Sequence, residues 1–247
     1  MLNFVAKFCS LNKVSLQNLD KIGMDEVQKH FDAIAPDYDY WKRKNWYYYD
    51  AVKKIYKNLI PAGSKVLEIG CGTGEILAEL KPLLGVGVDV SGEMIRRAQE
   101  KYANSKNLTF FQSTAADFRI EEKFDYIILA DVVEHLDDVS MSARNIAKLA
   151  FDSTKIIISM ANPSWEPILD LAEKLKLKMP EGPHERISIK ELVEICRDSG
   201  LSLRHLSYYL PFPKYMPIFS NVFNAIIEKM PLLNRLGVIT VLVFVKQ

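Results

Sequence analysis

Three cysteines in 247 residues, Cys9, Cys71 and Cys196, are too few and too scattered for a disulfide framework, and none stands in a C-x-x-C pair of the kind that holds zinc. The chain therefore reads as one of a reducing, cytoplasmic compartment. Glycine and proline number only 11 each, which excludes collagen-like and low-complexity architectures. A long apolar run is also missing: the most hydrophobic stretch, 236–245, has about half the length of a membrane-spanning helix. Neither sign of charge is in excess, because 32 Lys and Arg against 31 Asp and Glu leave +1, so no global field calls for a nucleic acid. What is present, 49% hydrophobic and 26% charged residues, suits one filled α/β domain with insertions.

From Lys65 onward, short apolar runs alternate with amphipathic stretches of about a dozen residues, the signature of βα units around a parallel sheet. The pattern predicts strands at 65–69, 86–90, 108–112, 124–130 and 155–160, with helices at 75–84, 91–102 and 140–150 between them. Ser91 is the expected N-cap of the second helix. A further helix is expected at 188–198, where Ser188 and Glu191 have capping-box spacing and Gly200 stops the run. Two last strands, 202–210 and 238–245, are separated by the long connection 211–237. Residues 24–60 read as two helices capping the carboxyl edge of the sheet. Residues 1–23 read as an N-terminal extension with a weak transit-sequence character and no signal-peptide core, Met24 being an alternative start. The plan is then an extension at 1–23, a helical cap or lid at 24–60 and a main domain at 61–247 carrying insertions at 161–200 and 211–237.

The strongest signal is Val66-Leu67-Glu68-Ile69-Gly70-Cys71-Gly72-Thr73-Gly74, a buried strand ending in three alternating glycines that runs into a helix. Glycine lets backbone come close to a ligand, and the helix start offers unpaired N–H groups. Asp89 ends the next strand, where its carboxylate can accept hydrogen bonds from both hydroxyls of a ribose. A nicotinamide fingerprint would need a small residue three after Gly72, but that position is Glu75.

The run resembles motif I of the class I S-adenosylmethionine-dependent methyltransferases, E-x-G-x-G-x-G followed by an acid at the end of the second strand. The likeness continues through Gly87-Val88-Asp89-Val90-Ser91, Phe124-Asp125-Tyr126-Ile127 and Asp131-Val132-Val133-Glu134-His135, and covers about residues 24–210. It implies a doubly wound, mostly parallel seven-stranded α/β sheet whose last strand is antiparallel, with an N-terminal helical cap and C-terminal insertions. The implied cofactor is S-adenosylmethionine, with S-adenosylhomocysteine as product. Carried over by position, Glu68, Gly70, Gly72 and Gly74 line the methionine and ribose part, Asp89 the ribose, and Val90 and Met94 the adenine face, while Asp131 lies near the methionine end. Many members carry an acid after the third strand for the adenine amino group. Thr114 stands there in this chain, beside Ala115, so its hydroxyl or Asp117 is the expected substitute. The segment Phe31-Asp32-Ala33-Ile34-Ala35-Pro36-Asp37-Tyr38-Asp39 resembles the family's lid, with Tyr38 closing over the cofactor.

Methyl transfer from a sulfonium needs an aligned acceptor lone pair and a dry site more than it needs obligatory catalytic residues. His135 is the first candidate base, and His184 the second, with Arg186 beside it as an anion clamp. A capping role is the bland reading of each. The spacing around Glu134 and His135 also resembles ubiquinone-type O-methyltransferases, but no metal is assigned. For Trp46 to Tyr49 simple packing is preferred, and for Lys42, Arg43 and Lys44 a solvated face. In the connection, Ile218, Phe219, Val222, Phe223, Ile226 and Ile227 form one apolar helical face suited to an acceptor pocket, a homodimer contact or a peripheral membrane contact. The resulting expectation is methyl transfer, to oxygen, on a small partly apolar metabolite, lipid or glycoconjugate precursor. Two rival readings are a catalytically silent cofactor-binding subunit and a nucleic-acid methyltransferase using Lys42, Arg43 and Lys44.

Overall fold

The computed structural model describes residues 24–230 and 232–247; the extension at 1–23, with Cys9, lies outside the described residues. Helices α1 (Met24–Lys44) and α2 (Trp46–Leu59) precede strand β1 (Lys65–Ile69). There follow α3 (Glu75–Glu79), β2 (Leu84–Asp89), α4 (Gly92–Lys101), β3 (Leu108–Gln112), β4 (Tyr126–Ala130), α5 (Val139–Leu149) and β5 (Lys155–Ala161). The last part runs α6 (Glu166–Lys174), α7 (Ile189–Asp198), β6 (Leu201–Tyr209), α8 (Phe219–Ile227) and β7 (Ile239–Lys246).

The seven strands form one sheet in the order β3-β2-β1-β4-β5-β7-β6, parallel except for β7, which runs antiparallel to both its neighbours. The chain winds outward from β1 through β2 to β3 and then returns to β4 on the other side of β1. That reversal opens a crevice at the carboxyl ends of β1 and β4. Side-chain alternation sorts the core into two layers: Leu67, Ile69, Ile127 and Leu129 face α5 and α7, whereas Val66 and Ile128 face α2. Both faces are covered, which is why these strands read as continuous apolar runs.

Three elements depart from the sequence expectation. The helix expected at 75–84 ends at Glu79, because Lys81 turns left-handed (φ 51°), Pro82 cannot continue a helix, and Leu84 already belongs to β2. Helix α6 forms in the insertion 161–200, where no helix was expected before 188; its proline stands in the first turn, where a missing N–H costs nothing. The connection 211–237 does hold the helix its apolar face announced, α8, and adds a short 3-10 turn, Leu233–Leu236. Of the two N-terminal helices only α1 lies over the carboxyl edge, while α2 buries Val52, Ile55 and Tyr56 against the sheet.

The loop after β3 is held from behind by Asn145 of α5. Its amide donates to the carbonyls of Ala115 (2.8 Å) and Phe118 (2.9 Å), and its oxygen accepts from Arg119 (2.7 Å). Asn145→Leu strands the Ala115 carbonyl, while that of Phe118 keeps Arg119 (2.8 Å), so chemical denaturation is expected to show a loss of about 1–3 kcal/mol. A loss under about 0.5 kcal/mol would mean that the loop holds itself.

Candidate active site

Where β1 gives way to α3, backbone φ is positive at Gly70, Gly72 and Gly74 (71°, 52° and 76°), so the turn needs glycine. The three have different neighbours. A Cβ on Gly72 would lie 3.1 Å from the Tyr38 hydroxyl, at the wall of a cleft that Gly70 also lines. On Gly74 it would lie 2.6 Å from the Phe110 ring, in the packing between α3 and β3 and away from the cleft. Asp89 ties the loop to the end of β2: Oδ2 accepts from the Gly72 N–H (2.8 Å) and Oδ1 from the Ser91 N–H (2.9 Å). A carboxylate offers about four acceptor positions, so about two remain toward the cleft. Burial pushes the Asp89 carboxyl up, while these two hydrogen bonds hold it down.

Helix α1 is latched across this loop at two aspartates seven residues apart in sequence. Asp32 accepts from the Ser91 hydroxyl (2.6 Å) and the Glu93 N–H (3.1 Å), and Asp39 from the Thr73 hydroxyl (2.9 Å) and Lys101 (3.0 Å). Tyr38 thereby lies over the glycines, its hydroxyl pushed up by burial and by the nearby carboxylates Asp89, Glu68 and Asp131. One turn further, Lys42 contradicts the solvated-face expectation. It is only 9% exposed, its ammonium 4.7 Å from the Tyr38 ring centroid and 5.4 Å from that of Tyr49, with Glu75 at 4.0 Å. The spacing of four residues from Tyr38 is the sequence signal that would have found it. Lys44 donates to the Lys176 carbonyl and covers Trp41, so two of the three cations of this run are committed within the protein.

Beyond β4, Asp131 sits at φ 52° and accepts from the hydroxyls of Tyr48 (2.8 Å) and Ser159 (3.0 Å). Tyr48, expected only to pack, is thus part of the site. Glu134 and His135 form the turn that follows. His135 Nδ1 lies 2.9 Å from the Pro183 carbonyl; a carbonyl only accepts, so Nδ1 carries the hydrogen and Nε2 keeps its lone pair. Burial holds the imidazole below its usual pKa range and raises Glu134 to about 8, with the Asp131 charge adding to the latter. The Phe31 ring packs edge-on against His135 at 5.2 Å, and the His184 ring stands 6.0 Å away on the other side.

Two cavities meet here. The cleft under α1, about 70 Å³, is lined by Tyr38, Asp89, Val90, Met94, Thr114 and Ala115. A cavity of about 530 Å³ extends from Tyr38, Gly70, Asp131 and His135, which line both, toward Trp165, Leu169 and Ile187. Glu68 and His184 line only the larger one. Asp117 lines neither: its carboxylate accepts from the Thr114 hydroxyl (2.8 Å) and its N–H donates back to that oxygen (3.0 Å). Arg186, expected as an anion clamp, is engaged by Glu166 (2.8 Å) and Asp170 (2.7 Å). No sequence signal announced that pairing, since its partners belong to a helix that was not foreseen.

Residues 40–206 match a family described as a methyltransferase domain. The ubiquinone biosynthesis O-methyltransferase of Aromatoleum aromaticum is 26% identical over 164 residues, 62% of this chain and 70% of that protein. The protein of the same description from Pseudomonas savastanoi pv. phaseolicola is 27% identical over 227 residues, 84% of this chain and 95% of that one. Among such relatives the matched share of their length falls as low as 60%. The magnesium protoporphyrin IX methyltransferase of Synechocystis PCC 6803, with bound S-adenosylhomocysteine, shares the fold at a TM-score of 0.60 and 19% identity, over 92% of this chain and 100% of that one.

Glu68 yields a pH test. Burial lifts its carboxyl from 4.5 to about 8 against the opposing Lys42 charge and the Leu77 N–H. The native chain then keeps a proton that the unfolded chain releases, so this group's stabilisation is complete below pH 4.5 and is lost as pH rises to about 8. Glu68→Gln should flatten that fall, with melting temperatures at pH 5 and pH 8 moving closer together; an unchanged slope would leave Glu68 without the assigned role.

Proposed function

The chain belongs to the methyltransferase domain family, of the class I S-adenosylmethionine-dependent type, and from that premise we propose that it methylates a hydroxyl oxygen on a small, partly apolar metabolite, lipid or glycoconjugate precursor. The observation that carries this reading is His135, a neutral imidazole with a free Nε2 lone pair between the cleft under α1 and the larger cavity. The names of the relatives, O-methyltransferases, support oxygen as the acceptor atom.

The residues of the cleft fit the cofactor. The remaining acceptor positions of Asp89 suit the two ribose hydroxyls, and the bare Cα of Gly72 leaves room that a side chain would fill. Val90 and Met94 offer an apolar face for the adenine, with Thr114 and Ala115 at its edge. Lys42 is suited to the cofactor carboxylate, and the Tyr38 ring to a sulfonium. When bound, S-adenosylmethionine supplies a methyl group already activated on sulfur. The protein's own part is to orient the acceptor and take its proton. Nε2 of His135 would accept the hydroxyl proton of an acceptor held beside it, while Tyr48 and Ser159 hold Asp131 in place at the end of β4. Helix α1 keeps water out. His184, with Nδ1 turned to the Gly182 carbonyl (2.9 Å), is the second candidate base.

Asp89→Ala should weaken S-adenosylmethionine binding about 10- to 100-fold by calorimetry, the scale of lost charge-assisted hydrogen bonds; unchanged affinity would overturn the ribose assignment. His135→Gln is expected to lower turnover about 100-fold with little change in cofactor affinity. The wild-type rate should persist through pH 6.5 and fall only below it, because protonation of a lowered imidazole pKa removes the base. That acid limb should vanish in the variant. Should the variant keep the limb, the proton goes elsewhere and His184→Gln becomes the variant to measure.

A further inference from the structure

Around the opening of the larger cavity the chain exposes apolar side chains that no core explains. Helix α8 turns Phe219, Val222 and Ile226 outward, between Ile218 at 81% exposure and Leu232 at 78%. Helix α6 does the same with Ile168 and Leu171, continued by Leu175 and Leu177. The two segments are joined: the Trp165 indole donates to the Leu236 carbonyl (2.8 Å) and the Asn162 amide to those of Arg235 (3.0 Å) and Gly237 (2.8 Å). The α6 segment reaches the cavity through Ile168 and Leu177, and the connection reaches it through Pro213 and Lys214, ahead of α8.

The charges on these segments that lack an ion-pair partner are mainly positive. Lys174, Lys176, Lys214, Lys229 and Arg235 are exposed, and none forms an ion pair with another described residue. Of the carboxylates nearby, Glu166 and Asp170 are paired with Arg186 and Glu173 with Lys178 at 3.8 Å, while Glu228 accepts from the Leu210 N–H at 2.9 Å and keeps its charge. Exposed apolar side chains set among unpaired cations fit a surface with a greasy interior and anionic headgroups. A two-fold contact with a second copy would instead bring the same cations together. Among the described residues no helix is long and apolar enough to cross a membrane, so the contact would be peripheral.

We propose that the face formed by α6, α8 and the segment up to Gly237 docks on an anionic lipid bilayer, with the acceptor cavity opening toward it. This rests on the reading that the cavity takes a partly apolar acceptor, and it adds the route: an amphiphilic acceptor enters from the lipid phase.

The test is co-sedimentation of the full chain with vesicles of phosphatidylcholine alone or mixed equally with phosphatidylglycerol. The mixed vesicles are expected to bind at least about tenfold more tightly, less so at high salt. Two variants are compared, Ile218→Glu with Ile226→Glu, and Lys229→Glu with Arg235→Glu; each should lose about tenfold or more while circular dichroism and cofactor affinity stay unchanged. A wild-type chain that remains in the supernatant, or variants that sediment like it, would overturn the proposal. So would a dimer in sedimentation equilibrium that the isoleucine variant splits, since a second copy would then cover the face. The vesicles hold no acceptor and the assay no turnover. A failure of docking therefore leaves methyl transfer untouched, and a failure of methyl transfer leaves docking untouched.

Discussion

The pair of hydrogen bonds from the Gly72 and Ser91 amides to Asp89 is the constraint on which the rest of the site depends. It fixes a loop that glycine alone would leave with too much freedom, and it joins the ends of two adjacent strands through one buried carboxylate. Ser91 then caps α4 through its hydroxyl, and that hydroxyl is in turn the anchor for Asp32 of α1. Loop, helix start and lid are thus a single connected set of polar contacts, with the cleft among them. Burial disfavours the charge on Asp89, and the two amide hydrogen bonds offset that cost.

The side toward the larger cavity is built differently. Its walls come from segments distant in sequence: α1, the turn after β4, α6 and the loop before α7. They are joined mainly through backbone carbonyls, as where His30 meets Pro180, His135 meets Pro183 and Asn45 meets Leu177. Carbonyls are present whatever the side chains are, so this wall tolerates different residues without losing its closure.

Contiguity decided what was legible in the sequence. The glycine run, Asp89, the Ser91 cap and the Ser188 cap act within a few residues or across neighbouring strands, and their spacing alone announced them. The sheet was legible for the same reason, since its buried strands are continuous apolar runs. Lys42 and Tyr48 were misjudged because what makes them part of the site is far away: Tyr48 finds Asp131 83 residues later, and Lys42 meets Glu75 of α3 and the charges of Asp89 and Asp131. Helix α6 was not foreseen, although its proline stands in a first turn, where a helix accepts it. Asp117 was expected in the cleft as an acid near the right position, yet it is spent on its own loop through Thr114.

Helix α1 is fastened to the glycine loop by Asp32 and Asp39 and to the wall of the larger cavity by His30 and Lys44. Its two ends cannot be released independently without bending a helix of 21 residues. A displacement of α1 that uncovers one cavity therefore pulls on the contacts that border the other, so the two compartments are mechanically one unit.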